Sequence, residues 1–185
     1  MTPSTTPVRR LPDRALIWIA VGFGSGWLRP GPGTWGTLVG VAWTLALLWI
    51  GSPLVYGVAS VAAMLTTVPI CTAAERILGR HDPSEVVMDE IVAMPLAFGG
   101  YALVWIAAGA GLPPLSAWNS WWPAMAAAFL LFRLFDIWKP WPIRRIQVLP
   151  GGWGIVLDDA AAAILAGLVT GAGTWVLFLI RLAKG

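Results

Sequence analysis

Five carboxylic acids stand where apolar stretches of this chain begin or end. Asp89 and Glu90 close HDPSEVVMDE (residues 81–90), Asp136 lies in FRLFDIWKPWPIRR (132–145), and Asp158 and Asp159 close GGWGIVLDD (151–159). A carboxylate at the edge of an apolar helix is costly unless a counter-charge or a metal ion meets it. Acids at three such edges can converge on one hard divalent cation. Mg²⁺ takes oxygen ligands, keeps several waters and commonly shares a phosphate with its protein. Arg133, Lys139, Arg144 and Arg145 flank Asp136; guanidinium forks and ammonium groups suit a phosphate anion. The plainer alternative is a set of solvated loop acids in simple ion pairs, beside an ordinary excess of basic residues that needs no ligand.

Around these acids the local signals are mixed. Pro83 after Asp82 reads as a capped helix start, which would put Asp82, Glu85 and Asp89 on one helical face. Two glycine-rich segments, GSGWLRPGPGTWGT (24–37) and GGWG (151–154), precede apolar stretches. Glycines let backbone amides approach a phosphate, and helix starts favour anions; turn-forming loops explain the same strings equally well. His81 is the only histidine and Cys71 the only cysteine, so a zinc cluster and an internal disulfide are both disfavoured. Ser84 has no base nearby in sequence and no nucleophile elbow is present.

The elements that must position these groups follow from where charge is missing. Of 185 residues, 58% are apolar and 11% charged, against about 45–50% and about 25% in soluble domains. Residues 30–74, 91–132 and 160–180 contain no Asp, Glu, Lys or Arg. A membrane-spanning helix needs about 20 apolar residues. With breakers at Gly51-Ser52-Pro53 and Gly111-Leu112-Pro113-Pro114, the pattern predicts spans near 35–50, 54–72, 91–110, 118–135 and 160–180. The first is short enough to be a partial or re-entrant span. Arg9, Arg10 and Arg14 before a brief apolar run predict an uncleaved N-terminal interfacial helix. The expected fold is an all-α polytopic membrane bundle, one domain over 1–185 with 1–12 flexible. Thirteen tryptophans suit membrane interfaces, and the basic loops fall on one face, which the positive-inside rule assigns to the cytoplasm. The net charge of +3 is accounted for by this orientation, so no nucleic-acid partner is expected.

Four stretches in order, GFGSGWLRPGPGTWGT (22–37), DPSEVVMDEIV (82–92), FRLFDIWKPWPIRRIQ (132–147) and GGWGIVLDDAAAAILAG (151–167), make the chain resemble the phosphatidylglycerophosphatase A family of bacterial integral-membrane lipid phosphatases. Ala93 and Val156 are small departures from its pattern, and neither is a charged position. The resemblance implies Mg²⁺-dependent hydrolysis of phosphatidylglycerophosphate in the bilayer to phosphatidylglycerol and phosphate, the last step of phosphatidylglycerol synthesis. It implies a multi-pass protein of the bacterial inner membrane with its active site facing the cytoplasm.

On that reading Asp89, Glu90, Asp136 and one or both of Asp158 and Asp159 hold the metal. Arg133 and Lys139 hold phosphate oxygens, with Arg144 as a further substrate contact. Asp89 is the first choice of general base. Gly24, Gly26, Gly33 and Thr34 line the pocket through backbone amides. Attack by water and an aspartyl-phosphate intermediate both remain open, as do oligomeric state and headgroup range. A small membrane transporter, or a phosphatase of another lipid phosphate, is the alternative. An intramembrane aspartyl protease and a purely structural subunit fit the charge placement less well, and transport would favour charges deep inside the spans.

Overall fold

The computed structural model describes residues 11–184. Most of the expected flexible 1–12 segment, with Arg9 and Arg10, lies outside the described residues. The elements of the described chain are all helical: α1 Leu11–Ala20, a 3₁₀ segment Gly22–Trp27, α2 Pro32–Ile50, α3 Pro53–Leu78, α4 Met88–Ala107, a second 3₁₀ segment Leu115–Ala117, α5 Trp118–Trp138, a single turn α6 Ile143–Ile146, and α7 Gly152–Lys184. No strand occurs among the described residues.

The first predicted breaker is a real helix end, whereas the second, Gly111–Pro114, lies in the loop after α4, which stops at Ala107 rather than near 110. Gly51 closes α2 in the left-handed conformation. Ser52 then caps α3, its hydroxyl accepting from the Val55 N–H at 3.3 Å, with Pro53 at the first helical position. Helix α2 has 19 residues, about 28 Å at 1.5 Å per residue, so the first span is longer than the expected 35–50. Helices α2, α3, α4 and α7 are long and apolar enough to cross a membrane. Helix α5 is 21 residues long and carries Asn119, Ser120, Arg133 and Asp136; it is not among these four.

Helix α4 is the central element and packs against α2, α3, α5 and α7. Its first half is buried nearly all round, by Ile91, Val92, Ala93, Met94, Ala97 and Phe98, as expected for a helix apolar on every face. Glycine makes these approaches close. A Cβ on Gly40 of α2 would stand 2.7 Å from Met94 Cβ, and one on Gly36 2.7 Å from Val87 Cβ. On the other side, a Cβ on Gly171 of α7 would stand 3.0 Å from the Gly100 carbonyl of α4. Without a solvent-driven hydrophobic force between helices in lipid, such small-residue contacts are what hold a bundle together. Outward-facing Leu54, Val58, Leu65, Leu103, Leu168 and Leu182 are exposed, as a lipid-facing surface requires.

Two expectations change. Residues 82–87 are not helical, so Asp82, Glu85 and Asp89 share no helical face. Asp82 takes a positive φ of 45°. Its N–H donates to Glu75 Oε1 at 2.9 Å, and Gln147 Nε2 donates to its Oδ2 at 3.0 Å. The Val87 N–H donates to the Ala20 carbonyl at 3.0 Å. These tertiary bonds replace the intrahelical bonds that a start at Pro83 would have made. Second, α7 starts at Gly152 rather than near 160. The Gly152 N–H donates to Thr72 Oγ1 of α3 at 2.8 Å, satisfying a donor that a helix start leaves bare. Asp158 and Asp159 therefore lie inside α7, in its second turn.

Candidate active site

The first turn of α4, the last turns of α5 and the second turn of α7 meet at one end of the bundle. Arg133 on α5 joins them first: its Nη1 donates to Glu90 Oε1 at 2.9 Å and to Asp136 Oδ2 at 2.8 Å. Lys139 continues the chain. Its Nζ lies 4.0 Å from Asp136 Oδ1 and donates a hydrogen bond to Asp158 Oδ2. Acid and base thus alternate from Glu90 through Arg133, Asp136 and Lys139 to Asp158, across three helices.

Lys139 is shaped for this place by its backbone. It caps α5 in the left-handed conformation, φ 46° and ψ 63°, with its N–H donating to the Phe135 carbonyl at 2.8 Å. A non-glycine residue there costs on the order of 1–3 kcal/mol and persists where the surroundings over-determine it. Partial burial works against the Lys139 charge. The hydrogen bond that Lys139 donates to Asp158 and the charges of Asp158, Asp136 and Asp159 outweigh that burial, and the pKa stands above the usual lysine value.

Asp89 and Asp159 stand outside the ion-pair chain. Both are buried, at 5% and 3% exposure, and Asp89 Oδ1, Asp159 Oδ2 and Glu90 Oε2 have no hydrogen-bond partner. Asp159 lies in the field of Asp136, Asp89, Glu90 and Asp158. Five carboxyl groups here face two cations, Arg133 and Lys139. Two cations cannot neutralise five buried carboxylates, and unpaired buried charge is expensive. Hard oxygen donors without partners are the donor set Mg²⁺ prefers, so the residues present fit that ion. Among the described residues no three acid, histidine or cysteine side chains are gathered closely enough to hold a metal between them as they stand. Mg²⁺ does not require such a cage, since it commonly takes one or two carboxylates and completes its shell with water and phosphate.

The first turns of α2 close one side of the site. A Cβ on Gly33 would collide with Glu90 Oε1 and stand 2.7 Å from both terminal nitrogens of Arg133; one on Gly36 would stand 2.9 Å from Glu90 Oε2. Gly33 is therefore beside the charged groups. Thr34 is exposed on the same turn. The other expected substrate contacts lie apart. Gly26 packs beneath the Glu85 carbonyl, where a Cβ has no room, and Gly24 faces Trp27. Arg144 is exposed on α6 and makes no ion pair among the described residues. His81 pairs with Glu75 at 2.6 Å, and Arg80 with Glu85; neither forms an ion pair with the five acids.

Three supporting residues escaped the sequence reading. Gln147 holds Asp82, Thr72 docks the start of α7, and Gly36 gives Glu90 its space. Only Gly36 left a signal: Gly33, Gly36 and Gly40 recur at helical spacing on one face of α2.

A bundle of apolar helices with every strongly polar group of its interior gathered at one end is the build of a polytopic membrane enzyme. A family model described as Phosphatidylglycerophosphatase A matches residues 18–173. The phosphatidylglycerophosphatase A of Haemophilus influenzae is 37% identical over 152 residues, covering 82% of this chain and 83% of that protein. That of Escherichia coli K12 is 33% identical over 149 residues, covering 80% and 77%. A Bacteroides thetaiotaomicron protein, provisionally named a phosphatidylinositol-3-phosphatase, is 33% identical over 168 residues, covering 87% and 94%. No solved structure matches. The chain belongs to the phosphatidylglycerophosphatase A family, whose members are phosphoric monoester hydrolases.

Proposed function

We propose that this protein removes the terminal phosphate of phosphatidylglycerophosphate, giving phosphatidylglycerol and inorganic phosphate. The reaction is Mg²⁺-dependent and takes place at the cytoplasmic face of the bacterial inner membrane, as the last step of phosphatidylglycerol synthesis. The single observation that carries this reading is the joining of Arg133 and Lys139 to a carboxylate-rich centre at one end of the bundle, in a chain of this family. The basic loops near that end support the cytoplasmic assignment.

One or two of Asp89, Glu90 and Asp159 would hold the metal through their unpartnered oxygens, with water and phosphate completing its shell and Asp136 and Asp158 beside them. When bound, Mg²⁺ supplies positive charge for the phosphate oxygens and acidifies the attacking water. Without it, a phosphate would meet more negative than positive charge in this site. Arg133 and Lys139 orient the phosphate and offset the charge that develops in the transition state. Asp136 touches both cations and holds them in register. Asp89 takes a proton from the attacking water as its oxygen bonds to phosphorus. The phosphorus–oxygen bond to glycerol breaks, and that oxygen takes up the proton that Asp89 received, leaving as the alcohol of phosphatidylglycerol and returning Asp89 to its carboxylate form. The acyl chains stay in the bilayer, so only the headgroup enters polar surroundings.

The experiment is phosphate release from phosphatidylglycerophosphate by purified protein, with Mg²⁺ and with a chelator. Release that requires Mg²⁺ supports the reading; release unaffected by chelation removes the metal from it. The Bacteroides relative favours a second reading, a different lipid phosphomonoester. A higher kcat/KM on phosphatidylinositol 3-phosphate than on phosphatidylglycerophosphate would decide for it.

A further inference from the structure

From the level of Leu131 on α5 to the end of the bundle opposite the acids, α4, α5 and α7 part around a crevice of about 650 Å³, within the range of about 300–1,000 Å³ typical of ligand sites. Tyr101, Trp105 and Leu131 line its apolar walls, Asn119 and Gly173 lie along it, and Arg181 is its only charged residue. Its nearest lining residues on α4 and α7, Tyr101 and Val169, follow Glu90 and Asp159 by about 15 Å along their helices at 1.5 Å per residue. Arg181 lies twenty-two residues beyond Asp159 on α7, about 33 Å at that rise. That is about the thickness of a bilayer's hydrocarbon core. A helix with Asp159 at one interface therefore places Arg181 at the other.

Arg181 is exposed and makes no ion pair among the described residues. An unpaired guanidinium at the mouth of an apolar crevice matches one kind of molecule in a bilayer. We infer that this crevice binds an anionic glycerophospholipid of the leaflet opposite the acid cluster. One acyl chain lies between α4, α5 and α7, and the headgroup phosphate meets Arg181. A guanidinium pairs with a phosphate in two parallel hydrogen bonds, and Asn119 and Ser120 at the start of α5 add polar groups at the rim. The crevice reaches Leu131, two residues before Arg133 on α5, but its mouth at Arg181 is at the far end, and the inference does not depend on the reaction assigned to the acid cluster.

The test uses the full-length protein in detergent and dioleoyl phosphatidylserine against dioleoyl phosphatidylcholine, with bound lipid read by native mass spectrometry. Phosphatidylserine is chosen because it is neither substrate nor product of the proposed reaction. The wild type is expected to hold phosphatidylserine about fivefold more tightly, the size expected of one basic side chain at a membrane surface. Arg181→Gln is expected to abolish that preference. Gly173→Leu fills the crevice at a position where an added Cβ meets nothing within 4 Å, and is expected to abolish tight lipid retention of either kind. Both variants should release phosphate at the acid cluster at the wild-type rate, which also reports that they are folded. Equal affinity for the two lipids in the wild type overturns the inference, as does a preference that survives Arg181→Gln. A second copy of the chain bound in place of lipid and released by Gly173→Leu overturns it as well. Should Gly173→Leu fail to fold, Arg181→Gln decides alone.

Discussion

Arg133 Nη1 and Glu90 Oε1 stand 2.9 Å apart, tying the end of α5 to the start of α4 across 43 residues of chain. The same nitrogen also meets Asp136, so one guanidinium group sets the position of two carboxylates. Both sides of the Glu90 pair are mostly buried, and removing one partner of such a pair strands the other. Arg133→Gln is expected to cost about 3 kcal/mol of stability and to lower phosphate release at least 100-fold. Arg133→Lys should restore stability in part and activity little, because an ammonium cannot reproduce the fork. Thermal unfolding in detergent and phosphate-release kinetics read the two effects separately.

Asp89 is a different kind of residue, buried with an unpartnered oxygen and no cation on it. Asp89→Asn removes a charge that nothing in the metal-free site neutralises. The variant should therefore be at least as stable as the wild type without Mg²⁺, while its phosphate release falls at least 100-fold. A variant that keeps its activity would remove Asp89 from the mechanism.

Metal binding to the folded state alone raises stability, by about 2.7 kcal/mol when free metal is 100 times its Kd. Mg²⁺ should raise the Tm of the wild type, and EDTA should reverse the rise. Asp159→Asn, which alters another unpartnered oxygen, should lose the Mg²⁺-dependent increment. A rise of equal size in that variant would place the ion elsewhere.

Lys139 holds Asp158 and approaches Asp136, and its folded-state pKa is raised. A raised pKa contributes stability that is complete below the unfolded-state value, about 10.4 for lysine, and is lost as pH climbs through the folded-state value. The difference in Tm between wild type and Lys139→Met should thus be constant from neutral pH to about pH 10 and shrink above it. Lys139→Ala should raise KM for the lipid substrate more than it weakens Mg²⁺ binding; equal losses of both would indicate a structural role.

Gly33 leaves no room for a Cβ beside Glu90 and Arg133. Gly33→Ala should displace both side chains, cost about 1–3 kcal/mol as overpacking does, and depress phosphate release. Gly57→Ala, at a helix position where the added Cβ meets nothing within 4 Å, should leave activity unchanged. Equal effects at the two positions would mean that the closeness of α2 to Glu90 does not matter.

What the amino-acid order determined by itself was the succession of apolar helices and the end at which their charged groups gather. Charge is costly in an apolar bundle, so its absence marked out the helices. Its return at Asp89, Glu90, Arg133, Asp136, Lys139, Asp158 and Asp159 marked their shared end. Gly51, Ser52 and Pro53 were legible as a helix boundary because their backbone preferences act locally. Tertiary structure alone decided that residues 82–87 form a loop and that α7 begins at Gly152. Bonds from Gln147, Ala20 and Thr72, distant in sequence, replace or supply the local ones there. It alone separated Asp136 and Asp158, which meet a cation, from Asp89 and Asp159, which do not. Adjacent acids such as Asp158 and Asp159 look alike along the chain, but on a helix they point about 100° apart. Which one finds Lys139 depends on how closely glycine lets the neighbouring helices approach.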